Sequence, residues 1–196
     1  DWIFNGWGGK YKAYEEDERV APAIAQLLQV PVFDHRLILE GGSIEVNGAG
    51  TCLTTEQCLL NPNRNPQLSR AQIEEFLKAS LGVRHILWLG EGIVGDDTDG
   101  HIDDIARFVS PTAVVCIIEA NPQDDIYLFL QENRERLRSA RDQDGKKLEI
   151  IPLPCPAPIF YDGARLPASY ANFYIANEVV LVPVFDDAND KKALGM

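Results

Sequence analysis

The sequence predicts an α/β fold made of repeated strand-strand-helix-strand units, about three of them plus part of another. Three observations predict it. The same order of patterns returns at intervals of roughly 60 to 70 residues. Each return opens on two strand-like apolar runs parted by turn residues, and each continues through a capped helical stripe into one more short strand. Such units bury both faces only by stacking on neighbours, and a closed ring would shield their strand edges.

The first 35 residues read as the end of an earlier unit: a helix from about Glu15 to Gln29, then an extended Val30–Phe33. Ile44–Leu53 alternates in polarity and turns at Asn47-Gly48, a strong hairpin signal. A helix follows. Ser69 and Gln72 form a capping box, Ile73, Phe76, Leu77 and Leu81 make an apolar stripe, and Gly82 ends it. Arg84–Leu89 is the closing strand. The second unit repeats the order. Ile102–Val109 and Ala113–Ile118 are strands around Ser110-Pro111, a helix spans about Asp125 to Arg141, Asp144-Gly145 turns, and Lys147–Leu153 is a strand. A third unit begins with Ser169–Ala176, turns at Asn177-Glu178, returns through Val179–Phe185 and enters a helix near Asp186–Asp190.

A chain of 196 residues is long enough to bury a core as one domain, residues 1–196. It begins without Met inside an apolar pattern and stops where a helix starts, so it is expected to be a piece of a longer protein, truncated at both ends. Open strand edges would then make the isolated piece self-associate. No apolar run approaches the roughly 18 residues of a membrane span, and Asp1–Trp7 lacks the pattern of a signal peptide. The net charge of -12 argues against nucleic acid, which needs basic clusters. It suits solubility first, and attraction of a cationic substrate second. Cys52, Cys58, Cys116 and Cys155 show no metal-ligand spacing. They read as buried reduced thiols of a cytoplasmic protein, with Cys155, among prolines, the more exposed.

The segment with most chemistry is Gly95–Asp104, where His101 and Asp103 lie two residues apart ahead of an apolar run. On a strand the two would share a face, a proton shuttle beside a carboxylate. That pair suits a cationic substrate, with the carboxylate holding charge while the imidazole moves protons. Alone, His-x-Asp reads as easily as structure. Asp96, Asp97 and Asp99 read as turn and capping residues, and Glu40 before Gly41-Gly42 as a strand end or as a pocket residue. Arg64, in the loop Asn61–Pro66, reads as a structural clamp. Trp2, Trp7 and Trp88 read as core, His35 and His85 as structural. A metal cluster of Asp99, His101, Asp103 and Asp104 is the competing chemistry.

Several segments together, in order along the whole chain, resemble the agmatine deiminase family, which includes bacterial-type peptidylarginine deiminases. They are Phe4–Tyr11, Glu40–Ile44, Leu53–Glu56, Leu60–Pro66, Asp97–Asp103 and Ser169–Ala176. The resemblance implies the pentein fold, a five-bladed α/β propeller, of which this chain would hold about three to four blades. It implies hydrolysis of a guanidinium group through a Cys amidino-thioether, with no metal or organic cofactor. It assigns His101 as general acid/base, Asp103 as guanidinium clamp, and Glu40 as a pocket residue orienting His101 and the substrate. Agmatine is the expected small-molecule substrate, with the arginine side chain of a peptide as the alternative; neither nucleic acid nor membrane is an expected partner, and a homo-oligomer is among the expected states. The family's Trp-x-Arg-Asp motif and its Gly-rich segment with the nucleophilic Cys have no match here, so this chain alone is expected to be inactive. Asp104 stands where the family often has Asn. A reading of another class is a non-catalytic binding module, since the same architecture also builds a ribosome anti-association factor.

Overall fold

The computed structural model describes residues 1–196. After a single turn at Gly6–Gly9 (α1) and a helix at Val20–Leu28 (α2) comes the first complete unit. Its hairpin is Ile44–Val46 (β1) and Thr51–Thr55 (β2), followed by a short turn Glu56–Leu59 (α3), the helix Arg70–Leu81 (α4) and the strand His85–Leu89 (β3). β1 pairs antiparallel to β2, and β3 pairs parallel to β2, with Thr51 facing His85 and Thr55 facing Leu89. The second unit repeats this with Ala106–Ser110 (β4), Ala113–Ile118 (β5), the helix Tyr127–Ser139 (α5) and Glu149–Pro154 (β6). β4 is antiparallel and β6 parallel to β5. The helix in each unit is the crossover that a parallel pair requires. The remaining elements are small: Phe160–Tyr161 (β7) with Ala164–Arg165 (β8), Tyr174–Ile175 (β9) with Val180–Leu181 (β10), and the helix Asp190–Leu194 (α6).

Local chemistry fixes these elements as the sequence predicts. Ser69 accepts from the Gln72 amide while the Gln72 side chain takes the Ser69 N–H, the reciprocal capping box, and Gly82 closes α4 at φ +67°. Ile73 and Leu77 on the predicted stripe are buried, whereas Phe76 is partly exposed. Asn47 Oδ1 accepts from the amides of Ala49 and Thr51, which sets the hairpin turn.

The third unit departs from its prediction. Ser169–Ala176 and Val179–Phe185 contribute only the two-residue pairs β9 and β10. Tyr170 and Ala171 are fully buried in the core, with the Tyr170 hydroxyl donating to Asp190 at 2.6 Å. Pro183 removes a ladder donor. A second departure concerns the site itself. Ile102–Asp104 is a 3₁₀ turn, and the strand begins only at Ala106. His101 and Asp103 therefore do not share a strand face.

Polar side chains bind the units to one another. Glu45 on β1 accepts from Arg107 Nε at 2.8 Å and from the Phe108 amide at 3.0 Å. Arg107 Nη1 reaches on to the Phe173 carbonyl at 2.7 Å. Asn47 Nδ2 donates to the Pro111 carbonyl and to Gln143, both at 2.9 Å. One apolar core joins the second and third units and reaches Leu53 and Leu89 of the first. A smaller one lies under α4.

Candidate active site

The repeat places the two chemistry-bearing segments at equivalent positions. Glu40 precedes a 3₁₀ turn, Gly41–Ser43, that leads into β1. His101 precedes the 3₁₀ turn Ile102–Asp104 that leads toward β4. Each unit thus delivers a polar residue at the entry to its hairpin, and these entries meet. His101 Nε2 stands 3.9 Å from Glu40 Oε2, and His101 Nδ1 stands 4.0 Å from Asp103 Oδ1. Gly42 makes this approach feasible: a Cβ there would lie 2.5 Å from His101 Nδ1 and 2.8 Å from Asp103 Oδ2. Gly at position 42 is thus required by proximity.

A buried frame holds the three residues. The Arg64 side chain is fully enclosed, and its Nε donates to Glu40 Oε1 at 3.0 Å. Its Nη1 pairs with Asp99, and its Nη2 donates to the Thr98 carbonyl at 2.8 Å. Arg64 therefore ties Glu40 to the loop that carries His101, the clamp expected of it. Asp96 Oδ2 accepts from the amides of Gly100 and His101, both at 2.9 Å, and Thr55 Oγ1 donates to the Gly100 carbonyl at 2.6 Å. Lys10 pairs with Asp99 at 2.6 Å and Tyr11 donates to Asp97, which fastens the N-terminal segment onto the same loop. Asp96, Asp97 and Asp99 are thus turn and anchoring residues. The competing metal cluster of Asp99, His101, Asp103 and Asp104 does not form: Asp99 is consumed by Lys10, Asn63 and Arg64, and Asp104 accepts from Asn172 at 3.0 Å.

Burial dominates the electrostatics of this cluster. Glu40 Oε2, His101 Nε2 and Asp103 Oδ1 are buried without any hydrogen-bond partner. Burial pushes the Asp103 carboxyl up to about 6, against the lowering effect of Arg107. It raises Glu40 as well, with Arg64 opposing. Burial pushes His101 down to about 4, with the negative charge of Asp96 acting the other way, so the imidazole is neutral at pH 7. Unpaired buried acids of this kind are costly unless a ligand supplies the missing charge and donors. A planar cation with several N–H groups fits that need.

None of the four cysteines has the character of a nucleophile. All are buried, Cys155 included, which corrects its expected exposure. Desolvation raises Cys52, Cys116 and Cys155 to about 12, and Cys58 higher still. Trp2 packs under α4 and stacks on His35 at 4.5 Å, and Trp88 donates to Glu74 at 2.8 Å, so these are structural as read. Sequence reasoning missed the position of Cys58, whose thiol lies beside Glu40 and His101. Nothing local in the sequence marks it.

Known deiminases resemble this chain along its whole length. A Medicago truncatula protein named agmatine deiminase is 44% identical over 210 residues, covering 95% of this chain and 56% of the relative. The structure of the Enterococcus faecalis agmatine deiminase superposes with a TM-score of 0.93 at 39% identity, covering 100% of this chain and 60% of that one. That of the C. jejuni agmatine deiminase gives 0.83 at 36% identity, covering 98% and 56%. The chain spans about half the length of the curated relatives it matches, 54% and 53% for two Legionella pneumophila proteins. The fold is the pentein α/β propeller, here without ring closure. The model of the Porphyromonas-type peptidyl-arginine deiminases matches residues 1–196 throughout, and the chain belongs to that family.

Proposed function

We propose that the complete reading frame encodes an agmatine deiminase, hydrolysing the guanidinium of agmatine to N-carbamoylputrescine and ammonia, and that residues 1–196 are part of its single pentein domain. The observation that carries this reading is the convergence of three unpartnered buried atoms, Glu40 Oε2, His101 Nε2 and Asp103 Oδ1. Glu40 and Asp103 would accept from guanidinium nitrogens, and the bound cation would restore both carboxylates to their charged form. Neutral His101 is the proton-accepting form. It would take the proton of an attacking thiol, pass it to the departing nitrogen, and then deprotonate the water that releases the product. The thiol would be a Cys outside residues 1–196, because the four within them are buried with raised pKa values.

The names of the Medicago truncatula and Enterococcus faecalis relatives support agmatine as the substrate. The four free thiols fit a reducing, cytoplasmic location, where the product would feed putrescine synthesis. The family description favours one second reading, deimination of peptidyl-arginine. Ammonia release by the complete protein separates them: agmatine should be turned over and an arginine-containing peptide should not. The His101→Gln variant should lose the activity. Turnover of the peptide alone would replace the first reading with the second.

A further inference from the structure

Cys58 has no role in the proposed hydrolysis, yet its thiol faces the two residues that most need a partner. Its sulfur, a Glu40 oxygen and a His101 ring nitrogen all lie within 4.8 Å of one another, and all three residues are buried. Cys52 and Cys116 donate to strand carbonyls at 3.5 and 3.6 Å, whereas the Cys58 thiol makes no such bond. Glu40 is 6% and His101 7% exposed, and the two atoms they present to each other, Oε2 and Nε2, are unpartnered. We propose that Glu40, Cys58 and His101 form a binding site for a thiophilic divalent cation, zinc foremost, and that zinc there blocks the guanidinium site.

The donor set is the one zinc prefers: one sulfur, one imidazole nitrogen and one carboxylate oxygen. Zinc–ligand bonds of about 2.0–2.3 Å need the donors about 1 Å closer together than 4.8 Å, within reach of side-chain rotation. The surroundings supply what such ligands require. Arg64 Nε fixes Glu40 through Oε1 and leaves Oε2 free. The Asp103 carboxylate stands 4.0 Å from His101 Nδ1, so the far ring nitrogen has an acceptor close by while Nε2 turns to the metal. The thiol loses its proton to solvent as the zinc–sulfur bond forms, so one proton leaves per zinc bound. Zn²⁺ with one thiolate, one carboxylate and one neutral imidazole is then uncharged, which suits burial. Zinc in this position takes Glu40 Oε2 and His101 Nε2 away from the substrate. That blockade rests on the proposed deiminase function, whereas the binding does not.

The test titrates zinc and cobalt into the complete protein and into Cys58→Ser, Glu40→Gln and Cys52→Ala variants. Wild type and Cys52→Ala should bind one zinc at this site with release of a proton, and Co²⁺ should show a thiolate charge-transfer band. Cys58→Ser should lose that band and weaken zinc binding by at least about 100-fold, and Glu40→Gln by about 10-fold or more. Zinc should also inhibit wild-type ammonia release, relieved by excess agmatine. Unchanged zinc and cobalt binding in Cys58→Ser would overturn the proposal. If that variant does not fold, equal zinc affinity in wild type and Glu40→Gln would overturn it. A protein silent on agmatine would remove the agmatine reading and leave the metal titrations fully interpretable.

Discussion

Replacing Gly42 with Ala should cost activity more than stability. The backbone at Gly42 does not adopt positive φ, so Ala introduces no conformational strain. What it introduces is a methyl group 2.5 Å from His101 Nδ1 and 2.8 Å from Asp103 Oδ2. His101 must withdraw by about 0.9 Å to regain ordinary contact at 3.4 Å. A displacement of about 1 Å in a reacting group costs roughly 100-fold, or about 2.7 kcal/mol of transition-state stabilisation. Stability should change less. The overpacking cost of about 1–3 kcal/mol is offset by about 0.4–1 kcal/mol gained from a stiffer unfolded chain. The assay is kcat for agmatine in the complete protein, beside a urea denaturation curve. Gly41→Ala is the control, since a Cβ there meets nothing within 4 Å. It should retain wild-type kcat. A folded Gly42→Ala with kcat within twofold of wild type, or an equal loss in Gly41→Ala, would refute the reasoning.

Three other predictions concern the same loop and its neighbours. Arg64→Met leaves the buried Glu40 carboxylate uncompensated, while Asp99 keeps Lys10 and Asn63, and should destabilise by about 3–5 kcal/mol in urea denaturation; a change below about 1 kcal/mol would contradict the clamp. The kcat/KM for agmatine should fall as pH drops below about 6, because protonated Asp103 no longer accepts from the cation, and a profile flat to pH 5 would contradict this. Burial and the Asp103 charge raise Asp104 to about 7, so the folded state holds a proton that the unfolded state has lost between about pH 4 and 7. Stability therefore declines as pH rises through that window, and Asp104→Asn should escape the decline, gaining on the order of 2 kcal/mol at pH 8 and nothing at pH 3.

The sequence carried the repeat because its signals are local. The Ser69–Gln72 box, the Gly82 cap and the Asn47-Gly48 turn each lie within a few residues of the feature they set. It did not carry the third unit, where burial of Tyr170 against the core outweighs strand alternation. Ile102–Ile105 reads as strand from its apolar residues, yet these fill the core from a 3₁₀ turn. For the candidate site, residue types and motif order pointed to Glu40, His101 and Asp103, which the structure brings together. Their supports were harder to read. Arg64 meets partners 24 and 35 residues away, and Cys58 meets His101 across two units. The need for Gly at position 42 arises only when the second unit docks onto the first.

The most direct test is product analysis after incubating agmatine with the complete protein and with the 196-residue chain. The account predicts N-carbamoylputrescine and ammonia in equal amounts from the complete protein, and none from residues 1–196, whose thiols are all buried. Ammonia from the 196-residue chain would make one of its own cysteines the nucleophile and contradict the account.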